Sequence, residues 1–179
     1  LLEEKTTANQ QSAISQEKQL IMIDAANLDY ASRELNIKID YRKFKTVISE
    51  NNQDASIRYY LGEDPHNQGQ KSFLNCLRRL GYTIVGKPII WQQGKPKANV
   101  DVDLAIDMVQ LGNKYKTIIL CSGDGDYLKA VKTMQNQGIK VIVVALNSMT
   151  SLSLIKTADY LLSDHLKKYL SFKNNSFHC

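Results

Sequence analysis

Leu20-Ile21-Met22-Ile23-Asp24 is a short, unbroken apolar run closed by a carboxylate. A run without polar alternation suits a strand buried on both faces, as in a parallel sheet covered by helices. Asn27 follows in what reads as a loop. Outward from this run the pattern repeats. Asp40 to Ile48 reads as a helix with Phe44, Val47 and Ile48 on one side, and Ala55 to Leu61 as a strand. Gln68 to Leu80 has helical spacing and Gly81 marks its stop. Tyr82 to Trp91 is strand-like, and Gln92 to Lys97 reads as a polar loop. Asp101 to Leu111 is the next helix, Thr117 to Cys121 a strand, and Tyr127 to Gln137 a helix stopped by Gly138. Ile139 to Leu146 is a further apolar strand. A short helix at Ser151 to Lys156, a short strand at Tyr160 to Leu162 and a helix at Asp164 to Leu170 complete the reading.

Strands alternating with helices predict an α/β domain of three layers, α/β/α, with a mostly parallel sheet. Right-handed crossovers place every strand's carboxyl end on one edge, and ligands bind where the strand order reverses. Residues 1–18, rich in Gln, Ser, Thr, Glu and Lys, read as a flexible polar segment. Residues 19–170 form the expected domain and 171–179 a disordered tail. The 179 residues suffice to bury a core without disulfides. No apolar run approaches the roughly 18 residues needed to span a membrane. Cys76 and Cys121 lie in apolar runs and read as buried thiols, which suits a cytoplasmic protein.

Acidic residues fall where such a sheet keeps its site. Asp24 follows the first buried strand, and Asp124 and Asp126 follow Thr117 to Cys121 in Ser122-Gly123-Asp124-Gly125-Asp126. Asp101 opens a helix. Carboxylates gathered at one edge repel and raise one another's pKa. A hard divalent cation, Mg²⁺ or Mn²⁺, takes oxygen ligands and removes that penalty. It also activates water and stabilises charge on a phosphoryl group. Each aspartate has a plainer role open to it. Asp24 can cap the next turn, Asp124 or Asp126 the helix near Tyr127, and Asp101 can sit at a helix N-terminus for the dipole. On a regular helix Asp103 and Asp107 share a face, while Asp101 and Asp107 do not. Asp101 therefore ranks first for the site, Asp107 second and Asp103 last.

Other chemistries are excluded by missing residues. Gly123-Asp124-Gly125 begins like a dinucleotide loop, but Leu128 stands at the sixth position and the carboxylates would repel a pyrophosphate. There is no complete phosphate-binding G-x-x-x-x-G-K-[ST], no G-x-S-x-G elbow and no calcium loop. Asp24-Ala25-Ala26 lacks the second aspartate of a haloacid-dehalogenase phosphatase. The net charge of +5 leaves a basic surface around the acidic edge, suited to a polyanion or simply to water.

Four stretches in order resemble the NYN domain. Leu20 to Leu28 is similar to its I-D-x-x-N-L opening, and Lys97 to Asp107 to its K-x-V-D-x-x-L-x-x-D segment. Leu120 to Tyr127 is similar to S-G-D-x-D-[FY], and Ser151 to Leu162 to the closing segment. One departure is that Ala98-Asn99 stands where the family has a single Gly before V-D. The resemblance is to the LabA-like branch of the PIN-like nucleases. It implies a five- or six-stranded parallel sheet of Rossmann-like topology, Mg²⁺ or Mn²⁺, and hydrolysis of RNA phosphodiesters. Carried over, Asp24, Asp101, Asp124 and Asp126 form the metal and catalytic set, with Asn27 positioning a ligand or water. Asp107 and Ser122 are further members to test. Lys97, Lys95 and Arg42 are the candidate RNA contacts, and Tyr30 and Trp91 either stack on bases or pack in the core or rim. A second expectation is a catalytically weak or inactive NYN domain that binds RNA or regulates. Apolar residues on the outer helices would suit a homodimer.

Overall fold

The computed structural model describes residues 17–92 and 95–161, with the side chains of 92–97, 160 and 161 outside that description. Strand β1 is Gln19–Asp24, β2 Ser56–Glu63, β3 Thr83–Pro88, β4 Ile90–Gln92, β5 Lys95–Lys97, β6 Thr117–Cys121, β7 Lys140–Val143 and β8 Tyr160–Leu161. Helix α1 is Ala25–Glu34, α2 Tyr41–Ile48, α3 Gln68–Arg79, α4 Asp101–Leu111, α5 Leu128–Asn136 and α6 Leu152–Thr157. The main sheet has six parallel strands in the order β3-β2-β1-β6-β7-β8, and β4 pairs with β5 as an antiparallel hairpin. The chain builds outward from β1 to β3, then crosses back through α4 to β6 on the other side of β1. The order reverses between β1 and β6, which opens a crevice at their carboxyl ends.

Period-two geometry sorts the core. On β1, Ile21 and Ile23 pack with Leu28 of α1, Phe44 of α2 and Leu77 of α3. Leu20 and Met22 face the other way, onto Leu104 and Met108 of α4, Val131 of α5 and Leu154 of α6. On β6, Ile119 and Cys121 belong to the first group, Ile118 and Leu120 to the second. The same alternation, carried one residue further, turns Asp24 and Ser122 toward the α4 side.

Several expectations change in detail. Asn27 lies in helix α1, not in a loop. Only Leu28, Ala31 and Ser32 of that helix are buried, so its apolar stripe is too thin to read, and Asp24 starts it by accepting the Asn27 N–H at 3.1 Å. The strand expected from Tyr82 to Trp91 breaks after Pro88, and its end joins part of the expected polar loop to make the β4–β5 hairpin. Gly62 lets the returning chain close on β2: a Cβ there would lie 2.7 Å from that of Ala98. Strand β7 stops at Val143, and Val144 to Leu146 continue as buried connection. Trp91, 70% exposed, and Tyr30, 57% exposed, are not core residues. Cys121 is a free buried thiol. Cys76 is buried on α3. Among the described residues no helix is long and apolar enough to cross a membrane. The helix expected at 164–170, the tail and residues 1–16 lie outside the described residues.

Candidate active site

Asp24 ends β1 with 4% of its surface exposed. Its two oxygens are used differently. Oδ1 accepts the backbone N–H of Asn27 at 3.1 Å and caps α1. Oδ2 accepts the Ser122 hydroxyl at 3.0 Å and lies 3.3 Å from the Tyr127 hydroxyl. That same Tyr127 hydroxyl is 3.1 Å from Oδ1 of Asp101. A phenol has one hydrogen, so it donates to one carboxylate at a time.

The loop after β6 is tied to this centre from both ends. Oδ1 of Asn27 accepts the Gly123 N–H at 3.2 Å. Ser122 Oγ accepts the Asp124 N–H at 3.2 Å while donating to Asp24. Asp124 Oδ1 accepts the Asp126 N–H at 3.0 Å and so caps the turn Gly125–Tyr127. Gly123 sits against the 149–150 backbone, where a Cβ would come within 2.7 Å of the Met149 carbonyl oxygen.

Burial raises the pKa of Asp24 above its ordinary value, and the neighbouring Asp101 charge adds to the rise. Hydrogen bonds from Asn27, Ser122 and Tyr127 oppose it without cancelling it. Burial, and then the charges of Asp24 and Asp101, push the Tyr127 phenol well up, so it stays protonated. The centre is thus a buried carboxylate under electrostatic load, with a second carboxylate joined to it through a hydroxyl.

The structure brings together Asp24, Asp101, Ser122 and Asn27, with Asp124 anchored to Ser122. Asp126 is exposed, and its contact with the group is through its backbone. Asp107 is held elsewhere: its Oδ2 accepts Arg58 Nη2 at 2.8 Å and the Tyr60 hydroxyl at 2.9 Å. Asp103 pairs with Lys87 Nζ at 2.9 Å. Both carboxylates are thus engaged by residues of β2 and β3 and make no hydrogen bond to the groups around Asp24 among the described residues. Arg42 is exposed on α2, on the opposite side of the sheet. Lys95 and Lys97 lie on β5, and their side chains are outside the description. Tyr127 was missed as a member of the site. The available signal was a hydroxyl-bearing aromatic directly after Asp126, in the turn from strand end to helix.

Among the described residues no group of three His, Cys, Asp or Glu converges to hold a metal. The pair that does converge still suits Mg²⁺ or Mn²⁺. Its donors are hard oxygens, Asp24 has no ion pair among the described residues, and Mg²⁺ is commonly bound by one or two carboxylates with water and phosphate completing the shell.

The NYN domain profile matches residues 18–167. The low amplitude and bright protein LabA of Synechococcus elongatus is 28% identical over 149 residues, covering 78% of this chain and 79% of that protein. An uncharacterised protein of Methanocaldococcus jannaschii is 27% identical over 147 residues, covering 79% of this chain and 53% of its own length. A crystal structure of a protein of unknown function from Vibrio parahaemolyticus superposes with a TM-score of 0.72 at 30% identity, covering 82% of this chain and 92% of that one.

Proposed function

The chain belongs to the NYN domain family, within the PIN-like nuclease superfamily, and on that premise we propose that it hydrolyses RNA phosphodiester bonds at the Asp24–Asp101 centre. The observation that carries this reading is the joining of Asp24 and Asp101 through Tyr127 at the reversal point of the sheet. The ionised form of a carboxylate raised by burial and by a like charge costs the fold stability. Its presence is accounted for if the site works with a cation and an anionic substrate.

Asp24 and Asp101 would hold Mg²⁺ or Mn²⁺, with Asp124 at the rim of the same edge. Such an ion supplies charge neutralisation, a more acidic bound water and stabilisation of the phosphoryl oxygens. The chain's own residues arrange the centre. Ser122 orients Oδ2 of Asp24 and holds the Asp124 loop. Asn27 fixes Gly123 and with it the approach of the loop. Asp126, exposed at the rim, would meet solvent or substrate.

The test is incubation of the purified protein with single-stranded and structured RNAs in Mn²⁺, Mg²⁺ or EDTA, beside Asp24→Asn. Cleavage that requires metal and is lost in the variant is expected. Cleavage retained by folded Asp24→Asn removes Asp24 from the chemistry. A second reading, RNA binding or regulation without turnover, is favoured by the lack of a three-ligand group among the described residues. Metal-independent RNA binding with no cleavage under any condition would select it.

A further inference from the structure

We infer that Tyr127 is a positioning residue whose hydroxyl, set between Asp24 and Asp101, holds the two carboxylates in the relative placement a divalent cation needs. The inference rests on the metal-site reading above. Asp24 comes from the end of β1 and Asp101 from the start of α4. Packing of β1 on α4 sets the two elements, but the like charges of the two side chains push them apart. The Tyr127 hydroxyl reaches both, at 3.3 and 3.1 Å.

Two further observations give the hydroxyl this task. The ring is 1% exposed and packs with Leu20, Met22 and Leu104, so its place is set by the core. Phenylalanine would fill that volume equally well, and burying the phenol's O–H is costly unless it is used. The start of α4, like that of α5, has no side-chain cap. Side chains of Asp24, Asp40, Asn67 and Ser151 cap α1, α2, α3 and α6, whereas Val100 gives α4 no side-chain cap. The Tyr127–Asp101 bond ties that helix end to the sheet edge. With a cation bound, the hydroxyl would still have one hydrogen to hold one carboxylate oxygen in place. Outer partners of this kind fix ligand orientation, and their loss typically lowers metal affinity or activity by about 10–100-fold.

The experiment is isothermal titration with Mn²⁺ alone on the wild-type chain, Tyr127→Phe and Asp24→Asn, with thermal unfolding in EDTA as the folding control. Tyr127→Phe is expected to bind Mn²⁺ about 10–100-fold more weakly than wild type while remaining folded. Affinity equal to or tighter than wild type overturns the inference and leaves the metal site standing. Wild type that binds no Mn²⁺ overturns both, and so separates the two failures. Should the phenylalanine variant not fold, the tyrosine difference absorption of the wild type on adding Mn²⁺ decides. A change that disappears in Asp101→Asn supports the bridge, and no change overturns it.

Discussion

Asp107→Ala should weaken the fold and spare the metal. Asp107 closes a triangle in which Arg58 Nη2 and the Tyr60 hydroxyl both donate to its Oδ2, while Arg58 Nε donates to the Tyr60 oxygen at 2.9 Å. Tyr60 is fully buried, and the Arg58 and Asp107 side chains are 24% and 23% exposed. Removing the carboxylate leaves the Tyr60 hydrogen without its acceptor, a loss of about 1–3 kcal/mol. The ion pair itself falls between the roughly 0.2–1 kcal/mol of exposed pairs and the 3–5 kcal/mol of broken buried ones, because water reaches a quarter of it. Alanine returns roughly 0.5 kcal/mol of helix propensity. The net expectation is about 2 kcal/mol, or about 4–8 °C in the unfolding midpoint for a domain of this size. Circular dichroism melts in EDTA measure it, and Mn²⁺ titration accompanies them. A midpoint within about 1 °C of wild type would refute the triangle as a strut between β2 and α4. Loss of Mn²⁺ binding with an unchanged midpoint would refute the exclusion of Asp107 from the site.

Two other perturbations act on the site edge. Asp24→Asn should raise the metal-free unfolding midpoint at pH 7: the folded pKa lies above the unfolded value near 3.8, so the ionised form penalises the fold as pH rises through that interval. The gain should shrink to nothing below pH 3.8, where both states are protonated, and a gain that persists at pH 3 would contradict this origin. Gly123→Ala should cost about 1–3 kcal/mol, since its Cβ meets the Met149 carbonyl and loosens the Ser151 N–H to Gly123 oxygen bond of 3.0 Å. An unchanged melt would show that the 147–151 segment yields freely.

The layered fold was legible because buried parallel strands announce themselves. Leu20 to Ile23 and Thr117 to Cys121 have no polar interruption, and glycines 81 and 138 mark helix ends with φ of +89° and +78°. Helix α1 was not legible, because a helix with so few buried residues leaves almost no periodic signal. The β4–β5 hairpin was hidden for a related reason: Ile90 and Trp91 are apolar yet exposed, so an apolar run spoke for a strand without showing that it had left the sheet. Within the site, the gathering of Asp24 and Asp101 followed from topology. The separate engagement of Asp103 and Asp107 required knowing that Lys87 and Arg58 lie across from α4, a contact between distant parts of the chain.

Helix cap and site carboxylate looked like competing roles for Asp24, and the structure dissolves the competition. A carboxylate has two oxygens, and here Oδ1 caps α1 while Oδ2 meets Ser122 and Tyr127. The cap therefore orients the other oxygen toward Asp101, and the first turn of α1 helps to build the site. The consequence separates two substitutions that remove the same charge. Asparagine can keep an acceptor toward the Asn27 N–H, so Asp24→Asn isolates the loss of charge. Asp24→Ala removes the cap as well, at about 0.5–2 kcal/mol, and frees α1 together with the Asn27 side chain that holds Gly123. The asparagine variant is thus the one whose silence can be read as chemistry.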